Sequence, residues 1–217
     1  SIGSYAFAKC KGLTANIGMG NYLQSIGERA FWECSNIPEI TLEDSVSSIG
    51  ARAFESMSHL KNIHFGTGVT SIPATCVKNS YMPFLIIPAG VTKISGTFCE
   101  GAKKLRYVIY EGNALPSGWK PGASQIGEQL KEDSYVYVKQ EALEKWNTAN
   151  SESLANNDLL AEGKNGNKVY LKVLGNTPIV DYLSAADYYR EAFIYNPTSA
   201  HINATYLLAD YGTNLLD

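Results

Sequence analysis

Apolar residues return along the first half of the chain in a fixed order. The strings Ile2-Gly3-Ser4-Tyr5-Ala6-Phe7, Ile26-Gly27-Glu28-Arg29-Ala30-Phe31 and Ile49-Gly50-Ala51-Arg52-Ala53-Phe54 lie 24 and 23 residues apart, and Ile72 and Ile94 continue the series at 23 and 22. The aromatic position reads Phe7, Phe31, Phe54, Cys76, Phe98, and a second apolar row follows it at Leu13, Ile37, Leu60, Met82 and Leu105. Each repeat then carries an alternating pair: Ile17 and Met19, Ile40 and Leu42, Ile63 and Phe65, Leu85 and Ile87, Val108 and Tyr110. Leu23, Val46, Val69 and Val91 stand between each pair and the next repeat. Period-2 alternation is the mark of a strand with one buried face. The spacing therefore predicts parallel strands at 17–19, 40–42, 63–65, 85–87 and 108–110, side by side in that order.

One repeat buries about six apolar side chains, each contributing roughly 1.5 to 3 kcal/mol. Ordering its 23 or so residues costs roughly 1 to 2 kcal/mol apiece. A single repeat cannot fold alone, so the pattern implies a solenoid in which stacked neighbours share their apolar rows. The glycine after the first Ile reads as a tight corner.

These residues resemble the BspA-like, or Treponema-type, leucine-rich repeat, whose pattern runs approximately L-x2-I-x-L-P-x2-V-x2-I-G-x2-A-F-x2-C. Val46-Ser47-Ser48-Ile49-Gly50-Ala51-Arg52-Ala53-Phe54 reproduces it in order and spacing. The resemblance covers residues 1 to about 112; the fourth and fifth repeats depart from it, losing one residue and reading Thr75-Cys76 and Thr97-Phe98 for Ala-Phe. It implies a β-rich leucine-rich-repeat superhelix of the α/β type with its parallel strands on one face, in an exported bacterial protein, often at the cell surface and associated with adhesion.

A worn sixth repeat is expected at Ile126-Gly127-Glu128-Gln129-Leu130, with a strand at Tyr135-Val136-Tyr137-Val138 and a helical turn at Glu141–Trp146 closing the end. Repeat arrays need such caps. This sets the solenoid at 1–146, a polar linker at 147–157 and a small mixed α+β C-terminal region at 158–217. There Val169–Val173 reads as a strand after the turn signal Lys164-Asn165-Gly166-Asn167. Ser184 with Tyr188, Tyr189, Ala192 and Phe193 reads as a helix stopped by Asn196-Pro197, and Ala200–Tyr211 as a second. Ala185, Tyr189, Ala192 and Pro197 also resemble one helix of a tetratricopeptide repeat, without the partner pattern that would extend it.

Composition narrows the function classes. Among 217 residues, 18 basic against 21 acidic side chains give a net charge of −3, which offers nothing to nucleic acid or an anionic membrane surface. Apolar runs stop at four or five residues, far short of the roughly 20 that a membrane helix needs. Ser1 falls inside a repeat, so a targeting segment or an earlier domain is expected to have been removed from the sequence.

Catalytic chemistry finds little support. His59 and His64 are expected on different surfaces, and His201 is isolated. Glu39 and Glu43 on one strand face would sit about 13 Å apart, beyond the roughly 5 to 9.5 Å of the glycosidase geometries. No phosphate loop, nucleophile elbow or paired-cysteine metal motif occurs. Asn203-Ala204-Thr205 fits a glycosylation sequon. Cys10 and Cys34 share one place in the repeat, and Met57 takes it next, so the four cysteines (these two, Cys76 and Cys99) read as free thiols in buried apolar slots. No cofactor or metal is expected.

Outward strand positions form columns: Gly18, Thr41, His64, Ile86, Ile109, and before it Asn16, Glu39, Asn62, Phe84, Tyr107. Polar rows give way to apolar ones. Phe84, Ile86, Tyr107 and Ile109 form an apolar patch that either lies under residues 154–217 or receives a partner. With His64 they are the expected ligand-binding residues. The expected function is a monomeric, non-catalytic binding or adhesion module of a secreted or cell-surface bacterial protein, recognising a protein or glycan; a spacer segment within a larger surface protein is the other reading.

Overall fold

The computed structural model describes residues 1–119, 126, 132–151, 153–163, 165–176, 179–186, 189–195 and 207–210. They form two compact bodies, Ser1–Val173 and Leu174–Asp217.

In the first body each repeat contributes a strand to the face and, from the second repeat on, a two-residue strand at its Ile position. Chain order is β1 (Ile17–Gly18), β2 (Ser25–Ile26), β3 (Glu39–Thr41), β4 (Ser48–Ile49), β5 (Asn62–His64), β6 (Ser71–Ile72), β7 (Phe84–Ile87), β8 (Lys93–Ile94) and β9 (Tyr107–Tyr110). β1, β3 and β5 pair in parallel in that order, as do β7 and β9. The expected strands are therefore present at or within one residue of the expected start, and every partner lies in an adjacent repeat. β5 and β7 belong to separate sheets. Lys61 N donates to Pro38 O at 2.8 Å and Arg106 N to Pro83 O at 2.7 Å, but Pro83, at the same place one repeat on from Lys61, has no N–H to give.

Inward alternation builds the core. Ile40, Ile63, Leu85 and Val108 point in and are buried with Phe31, Phe54, Cys76, Val77 and Phe98. The row of Phe31 and Phe54 continues in Val77, not in the expected Cys76, because Phe31 N donates to Ala53 O and Phe54 N to Cys76 O, which puts Cys76 at the place of Ala53. The ring of Phe31 stacks on Phe7 at 5.1 Å and on Phe54 at 5.8 Å.

Behind the strands the chain runs through successive turns. In the first repeat Ala6, Ala8 and Cys10 N–H close turns to Gly3, Tyr5 and Phe7, while Tyr5, Phe7 and Lys9 N–H donate to Glu28, Ala30 and Trp32 of the next repeat. The scheme repeats, three bonds per junction, through Asn79 N to Glu100 O. It demands left-handed backbone at two places per repeat: Tyr5 and Lys9, Arg29 and Glu33, Arg52 and Ser56, Thr75 and Asn79, all with φ between 51° and 63°. Such conformations cost a non-glycine residue roughly 1 to 2 kcal/mol; the ladder bonds they permit offset that cost.

The corner glycines have another reason for being there. Gly27 and Gly50 do not have positive φ. A Cβ on Gly50 would lie 2.5 Å from Gly27 C and closer still to Glu28 N, so this position is kept bare by the backbone of the preceding repeat. Close approach replaces the expected tight corner.

Beyond β9 the sheet grows by β10 (Ser134–Val138), parallel to β9. Helix α1 (Gln140–Asn150) follows, with Ala142 and Leu143 buried and left-handed Ser151 ending it. The helical turn expected at 141–146 is thus longer and takes up the first part of the expected linker. β11 (Leu159–Glu162) and β12 (Lys168–Val173) form a hairpin, and β12 lies parallel to β10. The expected boundary at 157/158 is corrected to 173/174: Val169 and Leu171 belong to the repeat core. Ile126 is buried in the same core, while 127–130 of the expected sixth repeat lie outside the described residues.

The second body contains β13 (Ile179–Ala186), β14 (Tyr189–Tyr195) and β15 (Leu207–Asp210), antiparallel in that order. The first expected helix is corrected to strand, as is the second over 207–210, its remaining residues lying outside the described ones; the tetratricopeptide resemblance ends with the first. Seven cross-strand partners join β13 to β14. His201, Pro197 and the sequon at 203–205 lie outside the described residues.

Candidate functional site

The outward rows run on past the repeats. Register carries Phe84 to Tyr107, Tyr135 and Tyr170, and Ile86 to Ile109, Tyr137 and Lys172. With Asn16, Glu39 and Asn62 in one row and Gly18, Thr41 and His64 in the other, the face has a polar end and an aromatic end.

At the polar end Glu39 collects donors from both sides. Asn16 Nδ2 donates to Oε2 at 2.9 Å and His64 Nε2 to Oε1 at 2.8 Å, while Asn62 Nδ2 lies 3.4 Å from Oε1 and 2.5 Å from His64 Nε2. A carboxylate only accepts, so the proton of the His64 bond sits on Nε2. His64 and Glu39 keep 37% and 32% of their side chains in contact with solvent, so the cluster is both fixed and reachable. Thr41, beside His64 in register, is also half-buried.

At the aromatic end Tyr135 is stacked between Tyr107 at 5.8 Å and Tyr170 at 6.2 Å. Tyr137 tilts against Tyr107 and Tyr135, each at 6.4 Å. Lys172 Nζ lies 5.8 Å from the Tyr135 ring and the Arg106 guanidinium 5.5 Å from that of Tyr107, both within cation–π range. Tyr135, Tyr137, Tyr170 and Lys172 were missed as face residues by the sequence columns, which ended at Ile109. The alternation of Tyr135 and Tyr137 with inward Val136 and Val138 is the signal that finds them.

Between the two ends the face is closed. Phe84 is 1% exposed, Tyr107 4% and Ile109 0%; Ile86 is half-buried. The bare apolar patch expected at these four residues is thereby corrected. Residues 159–173 do not cover the face; they extend the sheet at its edge as β11 and β12. Of the five expected binding residues, His64 and Ile86 retain accessible surface.

The remaining candidates have separate surroundings. His59 Nδ1 is 2.6 Å from Ser35 O, in a turn away from His64. β3 ends at Thr41, so Glu43 lies beyond the strand that holds Glu39, which corrects the shared strand face expected for the pair. Among the described residues no three His, Cys, Asp or Glu side chains come together as a metal site. All four cysteines are free; three are buried and Cys10 is half-buried. Burial pushes Cys76 and Cys99 up to about 12 and raises Cys34. No helix among the described residues is long and apolar enough to cross a membrane.

Residues 1–106 match, in six copies, the model of the BspA type leucine rich repeat region. No curated protein matches the chain. Among solved structures, a leucine rich cell surface protein from Faecalibacterium prausnitzii is similar at 18% identity, covering 74% of this chain and 32% of that one with a TM-score of 0.42. A leucine-rich repeat protein from Eubacterium ventriosum is similar at 15% identity, covering 58% of this chain and 54% of that one with a TM-score of 0.35. The chain spans 32% and 54% of the lengths of those two structures.

Proposed function

Residues 1–106 are a BspA-type leucine-rich repeat region, and from that premise we propose that the chain is a non-catalytic binding module of a bacterial surface protein, engaging a protein or glycan partner through the two open ends of its sheet face. The stacked repeats form a solenoid whose strands hold outward side chains at fixed spacing, which lowers the entropy cost of recognition. The observation that carries this reading is the Glu39 cluster: Asn16 from the repeat before and Asn62 and His64 from the repeat after converge on a carboxylate that solvent still reaches. Hydrogen-bonded groups fixed before binding offer a partner ready-made acceptors and donors. Export follows from the family resemblance alone. The partner's chemistry fits a polar ligand, since the accessible groups are a carboxylate, an imidazole, Thr41, tyrosines and a lysine.

Binding of the purified chain to a panel of immobilised matrix proteins and glycans tests the reading. A partner captured by the wild type should lose at least about tenfold in affinity, or about 1.4 kcal/mol, with Glu39→Ala or Tyr137→Ala. Lys103→Ala, in an exposed turn off the face, should bind as the wild type does. Capture that survives both face variants would refute it.

The burial of Phe84, Tyr107 and Ile109 favours a second reading, a spacer segment that fixes distance within a larger surface protein. It predicts no capture on any panel and a stability unaffected by the face variants at the two open ends.

A further inference from the structure

Cys10 and Cys34 occupy the same place in the first two repeats. Around them the register is fixed by the Phe7–Phe31 stack at 5.1 Å and by Lys9 N donating to Trp32 O at 2.7 Å. Neighbouring backbones so paired run about 4.8 Å apart, inside the roughly 4.4 to 6.8 Å between Cα atoms that a disulfide spans. Cys34 Sγ donates to Phe7 O at 2.8 Å, and the same oxygen accepts from Cys10 N at 3.1 Å. The Cys34 sulfur thus rests on the carbonyl that closes the turn ending at Cys10. Accessibility differs between the two: Cys34 is buried, Cys10 half-buried, and Tyr5 and Phe7 beside it are 48% and 39% exposed. Met57 takes the place in the third repeat, so the row holds one thiol pair.

We propose that Cys10 and Cys34 are a redox-convertible pair, open in this structure and closed to an intramolecular disulfide by exchange with a low-molecular-weight disulfide. Cys10 loses its proton to solvent and attacks one sulfur of R–S–S–R, forming a mixed disulfide and releasing RS⁻, which is protonated. Cys34 then loses its proton and attacks the Cys10 sulfur, and the second RS⁻ leaves and is protonated. Two protein thiols are oxidised and one external disulfide is reduced to two thiols. The order is set by access, because only Cys10 can meet the reagent. Burial also raises the Cys34 thiol and so lowers its thiolate fraction, which keeps it from making the first attack. Closure ties the first repeat to the second and shortens the freedom of the unfolded chain. The inference stands on the geometry of the pair and is independent of any partner.

The folded full chain is incubated with oxidised glutathione, alkylated after acid quench, and mapped by mass spectrometry alongside a thermal melt. The expected product is a Cys10–Cys34 linked peptide lighter by two hydrogens, with Cys76 and Cys99 alkylated only after denaturation. Its melting temperature should exceed that of the reduced protein by at least about 2 °C, and dithiothreitol should reverse the gain. Cys10→Ser, at the half-buried position, should melt as the reduced wild type does and show no gain with oxidant. A stable glutathione adduct on Cys10 with Cys34 free, a Cys10-linked dimer, or a linked protein that melts no higher than the reduced one would overturn the proposal.

Discussion

The rings of Phe31 and Phe54 lie 5.8 Å apart and within 18° of parallel, each supplied by the same position of adjacent repeats. The row then passes to buried Val77, while Cys76, also buried, takes the small-residue place of Ala30 and Ala53: Phe31 N donates to Ala53 O and Phe54 N to Cys76 O. Phe54→Ala should lose about 3 to 5 kcal/mol, and Cys76→Phe about 1 to 3 kcal/mol by overpacking. Denaturant melts decide it; a Cys76→Phe protein more stable than the wild type would show a void beneath the short repeat.

Gly50 and Gly3 hold the same position in the repeat but have different surroundings. A Cβ on Gly50 would run into the backbone of Gly27 and Glu28, while one on Gly3 meets nothing within 4 Å. Gly50→Ala should therefore cost about 1 to 3 kcal/mol or more and Gly3→Ala nothing measurable. Equal effects at the two sites would restore the turn explanation for these glycines.

Ile86→Glu probes the closed middle of the face. Its neighbours in register, Ile109 and the adjacent Phe84 and Tyr107 row, are buried. A carboxylate there should lower stability by at least about 2 kcal/mol, while Thr41→Glu, two repeats away at the open end, should leave the melt within about 0.5 kcal/mol. A stable Ile86→Glu protein would mean that water reaches this row.

Alkaline pH should weaken the fold through its buried thiols. Cys76 and Cys99 titrate near 9.0 when unfolded and are pushed up to about 12 in the fold by burial. Below pH 9 both states keep the protons and no dependence arises. Between those values the unfolded chain releases protons that the fold retains, so stability falls as pH rises, by about 1.4 kcal/mol per pH unit for each thiol. The Cys76→Ala/Cys99→Ala double variant should show a flatter slope in urea melts across that range; an unchanged slope would assign the loss to other groups.

The repeats were legible because each one places the same side chains against its neighbours, so Ile49, Phe54, Leu60 and Ile63 can be read from Ile26, Phe31, Ile37 and Ile40. Residues 184–195 carry no such check. Tyr189, Ala192 and Phe193 fall at helical spacing, yet the segment is rich in Tyr, Phe and Ile, which also suit strands. Two turns of periodicity do not outweigh the seven cross-strand partners of β13 and β14. The face was half legible for a related reason. Alternation identifies which way Phe84 and Ile109 point, but whether the side they point to is open depends on long-range packing that no local pattern encodes. Glu39, Asn62 and His64 were visible as outward residues; their mutual hydrogen bonds follow from a register that only the stacked backbones fix.

The ladder behind the strands has an electrostatic consequence. In a sheet N–H and C=O groups alternate in direction, and strand dipoles largely cancel. Along the turns the three bonds of each junction, from Tyr5 N to Glu28 O through Asn79 N to Glu100 O, all point the same way. Peptide dipoles so aligned add, as they do in a helix, although these residues are turns. The oxygens of these bonds point toward the first repeat and the N–H groups toward the fifth, so the array is negative toward the first. A positive charge beside the turns is therefore favoured toward the first repeat and a negative one toward the fifth.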